Sequence, residues 1–167
     1  HIDAYKYYRT SLWEARNYDE LFPEFVVEDL GLNTLTNPKF TYNNISTNLG
    51  ARYSINKSQN IYFNYSISSR KPNPSELFSE GLHHSSARIE IGDLSFTSEV
   101  GHNFSLTYNV ANEKSNLTVN SFANYVDDFI YIIPVHLMPT IAGVFPYWEY
   151  KQLSLIHISE PTRHTRI

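Results

Sequence analysis

Side chains that could bind a metal or exchange protons are concentrated between residues 69 and 93. The segment S-R-K-P-N-P-S-E-L-F-S-E-G-L-H-H-S-S-A-R-I-E-I-G-D contains Glu76, Glu80, His83, His84, Glu90 and Asp93. Imidazole and carboxylate groups together suit Zn²⁺ and related transition metals. Adjacent residues of an extended chain point to opposite sides, however, so His83 and His84 rarely bind the same ion. A structural or generic ligand-facing role is therefore favoured over a metal site.

The composition narrows the classes of function. The chain of 167 residues has 15% aromatic residues, including 13 Tyr and 10 Phe, but only 18% charged residues, against about 25% in ordinary domains. It contains no cysteine, which excludes disulfides, thiolate catalysis and cysteine-based zinc sites. The net charge is −4 and Lys and Arg are scattered singly, so the sequence offers no footprint for nucleic acid. No serine lies in a nucleophile elbow, and we predict that the chain is not an enzyme.

Apolar and polar residues alternate in two pairs of segments, which predicts two β-hairpins. The segment N-I-S-T-N-L-G-A-R-Y-S-I at 44–55 alternates throughout, and I-Y-F-N-Y-S-I-S-S at 61–69 repeats the pattern after a short polar turn. The second pair occupies 102–126 and also contains a short polar turn. A period of two places successive side chains on opposite faces of a strand. Further strand segments are predicted at 1–12 and 148–152, so the fold class is all-β.

Long connections separate these hairpins, at roughly 13–39, 70–98 and 128–146. Compact soluble domains rarely contain several loops of this size, whereas outer-membrane barrels combine short turns at one end with long loops at the other. The polar faces of the predicted strands consist of Asn, Ser, Thr and Gly rather than Lys and Glu, which suits a hydrated lumen. We therefore predict part of an antiparallel transmembrane β-barrel. A soluble β-sandwich is the alternative that the pattern leaves open.

Three motifs follow one another in the order and spacing of a known family. The first contains Arg70, Pro72, Glu76, Leu77, Phe78, Gly81, His83, Glu90, Gly92, Asp93 and Glu99. The second, N-Y-V-D-D-F-I-Y-I-I-P at 124–134, contains Tyr125, Asp128, Tyr131 and Pro134. The third, G-V-F-P-Y-W-E-Y-K-Q at 143–152, contains Gly143, Tyr150 and Gln152. Together they resemble the late-barrel signature of TonB-dependent outer-membrane receptors, with Tyr147 where that family usually has Val.

The resemblance covers about residues 1–152 and implies a 22-stranded barrel, of which this chain would supply about six or seven strands. It implies a plug domain and a TonB-contacting segment in an N-terminal part that this chain lacks. Such receptors lie in the bacterial outer membrane and import iron–siderophores, haem, cobalamin, metals or glycans without a cofactor. The implied partners are outer-membrane lipid, a nutrient such as a ferric siderophore, and the TonB complex, but no nucleic acid.

The resemblance also divides the candidate site residues into two groups. Those expected on a loop that faces the ligand are Arg70, Glu76, His83, His84, Glu90 and Asp93. Those expected to maintain the barrel are Gly81, Gly92, Glu99, Tyr125, Asp128, Tyr131, Pro134, Gly143, Tyr150 and Gln152. We predict that Arg70 forms ion pairs with Glu76, Glu90 or Glu99 rather than acid–base machinery, because Arg facing lipid at mid-membrane costs about 2–4 kcal/mol.

Residues 153–167 depart from the family pattern. The text L-S-L-I-H-I-S-E-P-T-R-H-T-R-I resembles the translation of sequencing-adapter read-through, and we predict that it is a non-native tail. A genuine exit from the barrel is the alternative.

Two other functions stay open beside a TonB-dependent receptor. A passive outer-membrane porin or adhesin would have no plug domain. A soluble β-sandwich binding module would refold without detergent. The sequence does not define the transported substrate, which depends on a plug and loops outside this chain.

Overall fold

The computed structural model describes residues 1–113 and 115–166, with side chains described as far as residue 153, and the chain forms two compact units, His1–Asn43 and Asn44–Ile167. The elements of the first unit are β1 (Ile2–Asp3), β2 (Lys6–Arg9), α1 (Thr10–Ala15), α2 (Tyr18–Leu21), a 3₁₀ turn (Pro23–Phe25), β3 (Val26–Asp29), β4 (Asn33–Thr36) and β5 (Lys39–Phe40). Those of the second are β6 (Ser46–Asn56), β7 (Gln59–Arg70), α3 (Pro74–Phe78), β8 (Glu80–His83), β9 (Arg88–Ile91), β10 (Glu99–Ala111), β11 (Asn116–Thr140) and β12 (Gly143–Arg166). None of the described helices is long and apolar enough to span a membrane.

The first unit is built around a small aromatic core. β2, β4 and β3 form an antiparallel sheet, and β1 pairs with β5. Trp13 and Tyr18 are buried, with ring centroids 5.2 Å apart. The predictions of a strand at 1–12 and a loop at 13–39 were wrong: the first holds two short strands and the start of α1, and the second holds helices and strands. The reason is that the buried rings give this segment a core of its own.

The second unit is a seven-stranded sheet in the order β6-β7-β10-β11-β12-β9-β8. All pairs are antiparallel except β12–β9, which is parallel. The two predicted hairpins are confirmed as β6–β7 and β10–β11, and the predicted all-β fold class is confirmed with them. Short turns join each hairpin at one end of the sheet. The long connection between β7 and β10, residues 71–98, lies at the other end and is called the strap below.

The two faces of this sheet differ in chemistry across four neighbouring strands. One row of register partners on β6, β7, β10 and β11 is Leu49, Tyr65, Phe104 and Ala123. The adjacent row on the opposite face is Asn48, Ser66, Asn103 and Asn124. Large apolar side chains of the first face remain uncovered, and Leu49 is 65% exposed. Water-soluble domains rarely leave such a continuous apolar surface, so this face is suited to lipid.

β11 and β12 extend far beyond their neighbours. Pairing of β10 with β11 ends at Val100 and Asp127, yet β11 continues to Thr140 and returns through a two-residue turn. The long loop predicted at 128–146 was therefore wrong, and the strand predicted to start at 148 starts at Gly143. The segment F-I-Y-I-I-P-V is rich in aromatic and β-branched residues, which favour strands. The extended part of this pair, residues 128–152, is called the long hairpin below.

The predicted non-native tail lies largely outside the described residues. The backbone of β12 runs to Arg166, but the side chains of residues 154–167 are not described. The prediction for 153–167 therefore stays a prediction.

The identity of the lipid-facing side can be tested with two neighbouring positions on β10. We expect Leu106→Arg to destabilise the barrel of the full-length protein by about 2–4 kcal/mol, because it places a charge on the apolar face. Ser105→Arg, on the opposite face, should cost much less. Urea unfolding of the protein refolded into phospholipid vesicles, followed by tryptophan fluorescence, measures both. Equal losses from the two substitutions would contradict the assignment of the faces.

Candidate functional site

The charged residues at the strap end of the sheet form one connected group. The Arg70 guanidinium, at the end of β7, pairs with Glu76 at 3.0 Å and also with the Glu99 carboxylate. The second oxygen of Glu99, Oε1, accepts a hydrogen bond of 3.0 Å from the Ile130 backbone N–H on β11. Glu76 and Glu99 are buried. A buried carboxylate requires such partners, so this group joins β7, the strap, β10 and β11.

Glu76 also fixes the start of α3. Its Oε2 accepts the Asn73 backbone N–H at 2.6 Å, and the Asn73 side chain in turn accepts the backbone N–H of Glu76, which completes a capping box. Pro74 occupies the first helical turn, where its missing N–H is not needed. One carboxylate therefore serves both the helix cap and the ion pair with Arg70.

Gly92 is required by a close backbone contact against α3. Its N–H donates to the Ser79 carbonyl at 2.7 Å. A Cβ at this position would lie 2.6 Å from the Glu76 carbonyl oxygen and 2.7 Å from the Leu77 carbonyl carbon. The neighbouring Asp93 N–H donates to the same Glu76 carbonyl at 2.8 Å. The strap is thus folded back on itself with no space for a side chain.

A second carboxylate group fastens the strap to the long hairpin. Glu90 is buried and accepts from Arg88 Nε at 2.6 Å and from the Tyr150 hydroxyl at 3.3 Å. The Arg88 guanidinium carbon lies 4.9 Å from the centroid of the Trp148 ring, a cation–π contact. Glu90 does not pair with Arg70; of the three partners considered from sequence, Arg70 contacts Glu76 and Glu99.

The end of the strap is held by an amide. Gln152 Nε2 donates to the Thr97 carbonyl at 2.9 Å and to the Asp128 carbonyl at 2.8 Å. Gln152 Oε1 accepts the Thr97 backbone N–H at 3.2 Å. Asp128 has a φ of 55° and lies in a β-bulge between Val126 and Phe129. The bulge turns the long hairpin relative to the rest of β11, and Gln152 fixes it there.

The two histidines lie at the exposed tip of the strap and do not converge. His83 Nδ1 lies 3.1 Å from the hydroxyls of Ser85 and Ser86. His83 and His84 are both exposed. No group of three or more His, Asp or Glu side chains in the described part of the chain could hold a metal ion.

Asp93, the remaining ligand-facing candidate, and Gly81, which was expected to maintain the barrel, both lie in the strap. Asp93 accepts the Ser95 backbone N–H at 2.9 Å and the Ser95 hydroxyl at 2.7 Å, so its carboxylate has local partners. Gly81 has a φ of 136° and lines a shallow cavity of about 190 Å³ together with His83 and Glu90. Of the predicted ligand-facing residues, Arg70, His83 and His84 are exposed; Arg70 is engaged by Glu76 and Glu99, and the two histidines lie at the tip of the strap.

The remaining barrel-motif residues lie along the long hairpin and at its base. The Tyr125 hydroxyl donates to Asp127, and the Tyr131 ring stacks with Phe129 at 6.2 Å. Pro134 pairs with Trp148 beside a second bulge, and Gly143 closes the turn opposite Thr140. Sequence reasoning did not single out Arg88, Thr97 or Trp148. For Arg88, the alternation of R-I-E-I was a signal for a strand with a paired charge. For Thr97, the signal was its position two residues before Glu99.

An uncovered apolar face, short turns at one end of the sheet and a long braced connection at the other define the wall of an outer-membrane barrel. Residues 4–154 match the family model described as TonB dependent receptor-like, beta-barrel. The chain belongs to this family.

A solved structure shows the same fold. The siderophore receptor PirA from Pseudomonas aeruginosa matches with a TM-score of 0.51 and 14% sequence identity. The match covers 72% of this chain and 23% of that one, so the chain spans about a quarter of that receptor's length. Comparison with curated proteins gives no match.

The close contact at Gly92 predicts a strong effect from adding one methyl group. Gly92→Ala in the full-length receptor should destabilise the strap by about 1–3 kcal/mol, because the new Cβ meets backbone that cannot move without unfolding α3. Gly101→Ala is the control, since its Cβ would lie 3.7 Å from the nearest atom. Limited trypsin digestion should cleave at Lys71 and Arg88 faster only in Gly92→Ala. Equal cleavage of both variants would argue against the close packing.

Removing the carboxylate of Glu99 should release the group around Arg70. We expect Glu99→Ala to lower the free energy of unfolding by about 1.5–3 kcal/mol, because the Ile130 N–H and the Arg70 charge lose a partner. Glu113→Ala, in the exposed turn between β10 and β11, should change it by less than about 0.5 kcal/mol. Urea unfolding in detergent measures both, and an unchanged midpoint for Glu99→Ala would contradict the proposed role.

Proposed function

We propose that this chain is the late-barrel part of an outer-membrane receptor that takes up a scarce nutrient with energy supplied through TonB. The observation that carries the proposal is the pairing of an uncovered apolar sheet face with a braced strap at one end, in a chain of the TonB-dependent receptor family. Such a sheet places its apolar face against lipid and its Asn- and Ser-rich face towards a lumen. The proposed location is the bacterial outer membrane.

The proposed mechanism is binding followed by gated passage, without covalent chemistry. The carboxylates that could act as acids or bases are engaged within the protein: Glu76 and Glu99 by Arg70, and Glu90 by Arg88 and Tyr150. Charges held in this way stabilise geometry rather than exchange protons with a substrate. This supports a receptor rather than a hydrolase.

A ferric siderophore is the nutrient that we favour. The support is that the structurally similar protein is named a siderophore receptor; at 14% identity this likeness concerns the fold, so the nutrient is our proposal. Haem, cobalamin and metal complexes belong to the same group of candidates. Among the predicted ligand-facing residues, we propose that His83 and His84 contact the ligand, because they are exposed at the tip of the strap, while Arg70, Glu76 and Glu90 are engaged in ion pairs that hold the strap.

A passive porin is the rival function, and energy dependence separates the two. The full-length gene is expressed in a Gram-negative host that lacks its own siderophore receptors, and uptake of radiolabelled iron is measured with a ferric catecholate and a ferric hydroxamate. We expect saturable uptake of one of them, and loss of at least tenfold when the host lacks TonB. Binding at the cell surface should persist without TonB.

Uptake in strains with and without TonB, together with surface binding, distinguishes a TonB-dependent receptor from a passive channel. Uptake that continues at the same rate without TonB would identify a passive channel. Absence of both binding and uptake for every siderophore would remove siderophores from the proposal, and haem and cobalamin would then be assayed in the same strains. Expression at the surface is checked by antibody labelling in each strain, so that missing protein is not read as missing function.

A further inference from the structure

The strap is attached to the barrel at both ends and along its middle. Its first part is held by Arg70, which pairs with Glu76 of the strap and with Glu99, and its last part by Gln152 through Thr97. In between, β9 pairs with β12 over three register positions, from Ile89 opposite Tyr147 to Ile91 opposite Glu149. A loop that opens as a lid usually has few buried contacts, whereas Leu77, Ile91 and Leu94 of the strap are buried.

The interior of the strap is also packed as a small core. Leu77, Ile91 and Leu94 are each no more than 1% exposed, and Gly92 lies against the backbone of α3. Burial of three such side chains opposes any motion that would separate α3 from β9. The tip around His83 and Ala87, where the chain turns with a φ of 48° at Ala87, is exposed and lies outside this packing.

The attachment sites lie on different barrel strands, which restricts hinge motion further. Arg70, the partner of Glu76, ends β7; Asp128, which accepts the Thr97 hydroxyl at 3.2 Å, belongs to β11; and Tyr150 and Gln152 belong to β12. A hinge at either end would have to break the contacts of β9 and Glu90 with β12 as well as those at the opposite end. From this geometry we infer that the strap is a fixed wall of the extracellular entrance, and that it stays closed on the long hairpin while ligand enters. The inference rests on the proposed function of ligand uptake.

A reversible covalent bond across the β9–β12 contact tests this directly. Ile89 and Tyr147 are register partners, and neighbouring strands lie about 4.8 Å apart, within the Cα separations that a disulfide spans. The chain has no cysteine, so Ile89→Cys with Tyr147→Cys adds one defined pair. Any cysteine elsewhere in the full-length receptor is first replaced by serine.

Uptake is compared within one variant, oxidised and reduced, so that the effects of the substitutions themselves cancel. The probe is the radiolabelled ferric siderophore taken up by the wild-type receptor. A fixed strap predicts that oxidation changes the uptake rate by less than twofold, although the disulfide forms quantitatively. A larger loss on oxidation that a reducing agent reverses would show that the strap must open, and would overturn the inference.

Hydrogen exchange gives a readout that does not require transport. In the wild-type receptor without ligand, the amides of Arg88–Ile91 should exchange at least a hundredfold more slowly than that of exposed Ser86 in the tip. Exchange of these amides as fast as that of Ser86 would overturn the inference even if no siderophore is transported. Failure of uptake in the wild type, with slow exchange in the strap, would instead count against the proposed nutrient alone.

Discussion

The carboxylate of Glu99 is the interaction on which the loop end of the sheet depends. It is buried at the start of β10, and a buried charge is stable only with close partners. Arg70 supplies one partner from β7, and the Ile130 N–H supplies another from β11. Because Arg70 also pairs with Glu76, the requirement extends to α3 and so to the whole strap. Three strands and a connection of 28 residues are thereby fixed to one side chain.

The same end of the sheet shows why a cluster that looks catalytic is structural. Glu76, Glu90 and Asp93 each accept hydrogen bonds from nearby groups of the protein, and none is left as a free base in a closed pocket. The two histidines are exposed at the tip and lack a converging carboxylate set in the described residues. A general base must reach a bound substrate with its proton acceptor free. The residue types are those of an active site, but their hydrogen-bond and ion-pair partners belong to the protein itself and stabilise the strap.

The sequence predicted the parts of the fold that depend on local pattern. The β6–β7 and β10–β11 hairpins follow from strict alternation and short polar turns. The long hairpin was missed because bulges at Asp128 and near Pro134 break the period of two, and the first unit was missed because its core comes from aromatic residues without periodicity. The contacts of Glu90 with Tyr150 and of Thr97 with Gln152 join residues 60 and 55 positions apart. No local rule connects such pairs; only the motif resemblance brought Tyr150 and Gln152 into view.

The two faces of the sheet and the charged group around Glu99 at its end impose different constraints on the same strands. Along β10, Phe104 and Leu106 must stay apolar because they lie on the uncovered face, whereas Glu99 must stay charged because it holds β7 and β11. The apolar rows set how deeply the strands lie in a membrane. The charged group around Glu99 positions the strap at the end of these strands. A strand in which both requirements meet within a few residues has little freedom to shift register, since a shift by one would reverse every face. This coupling ties the position of the strap to the same strands that carry the apolar face.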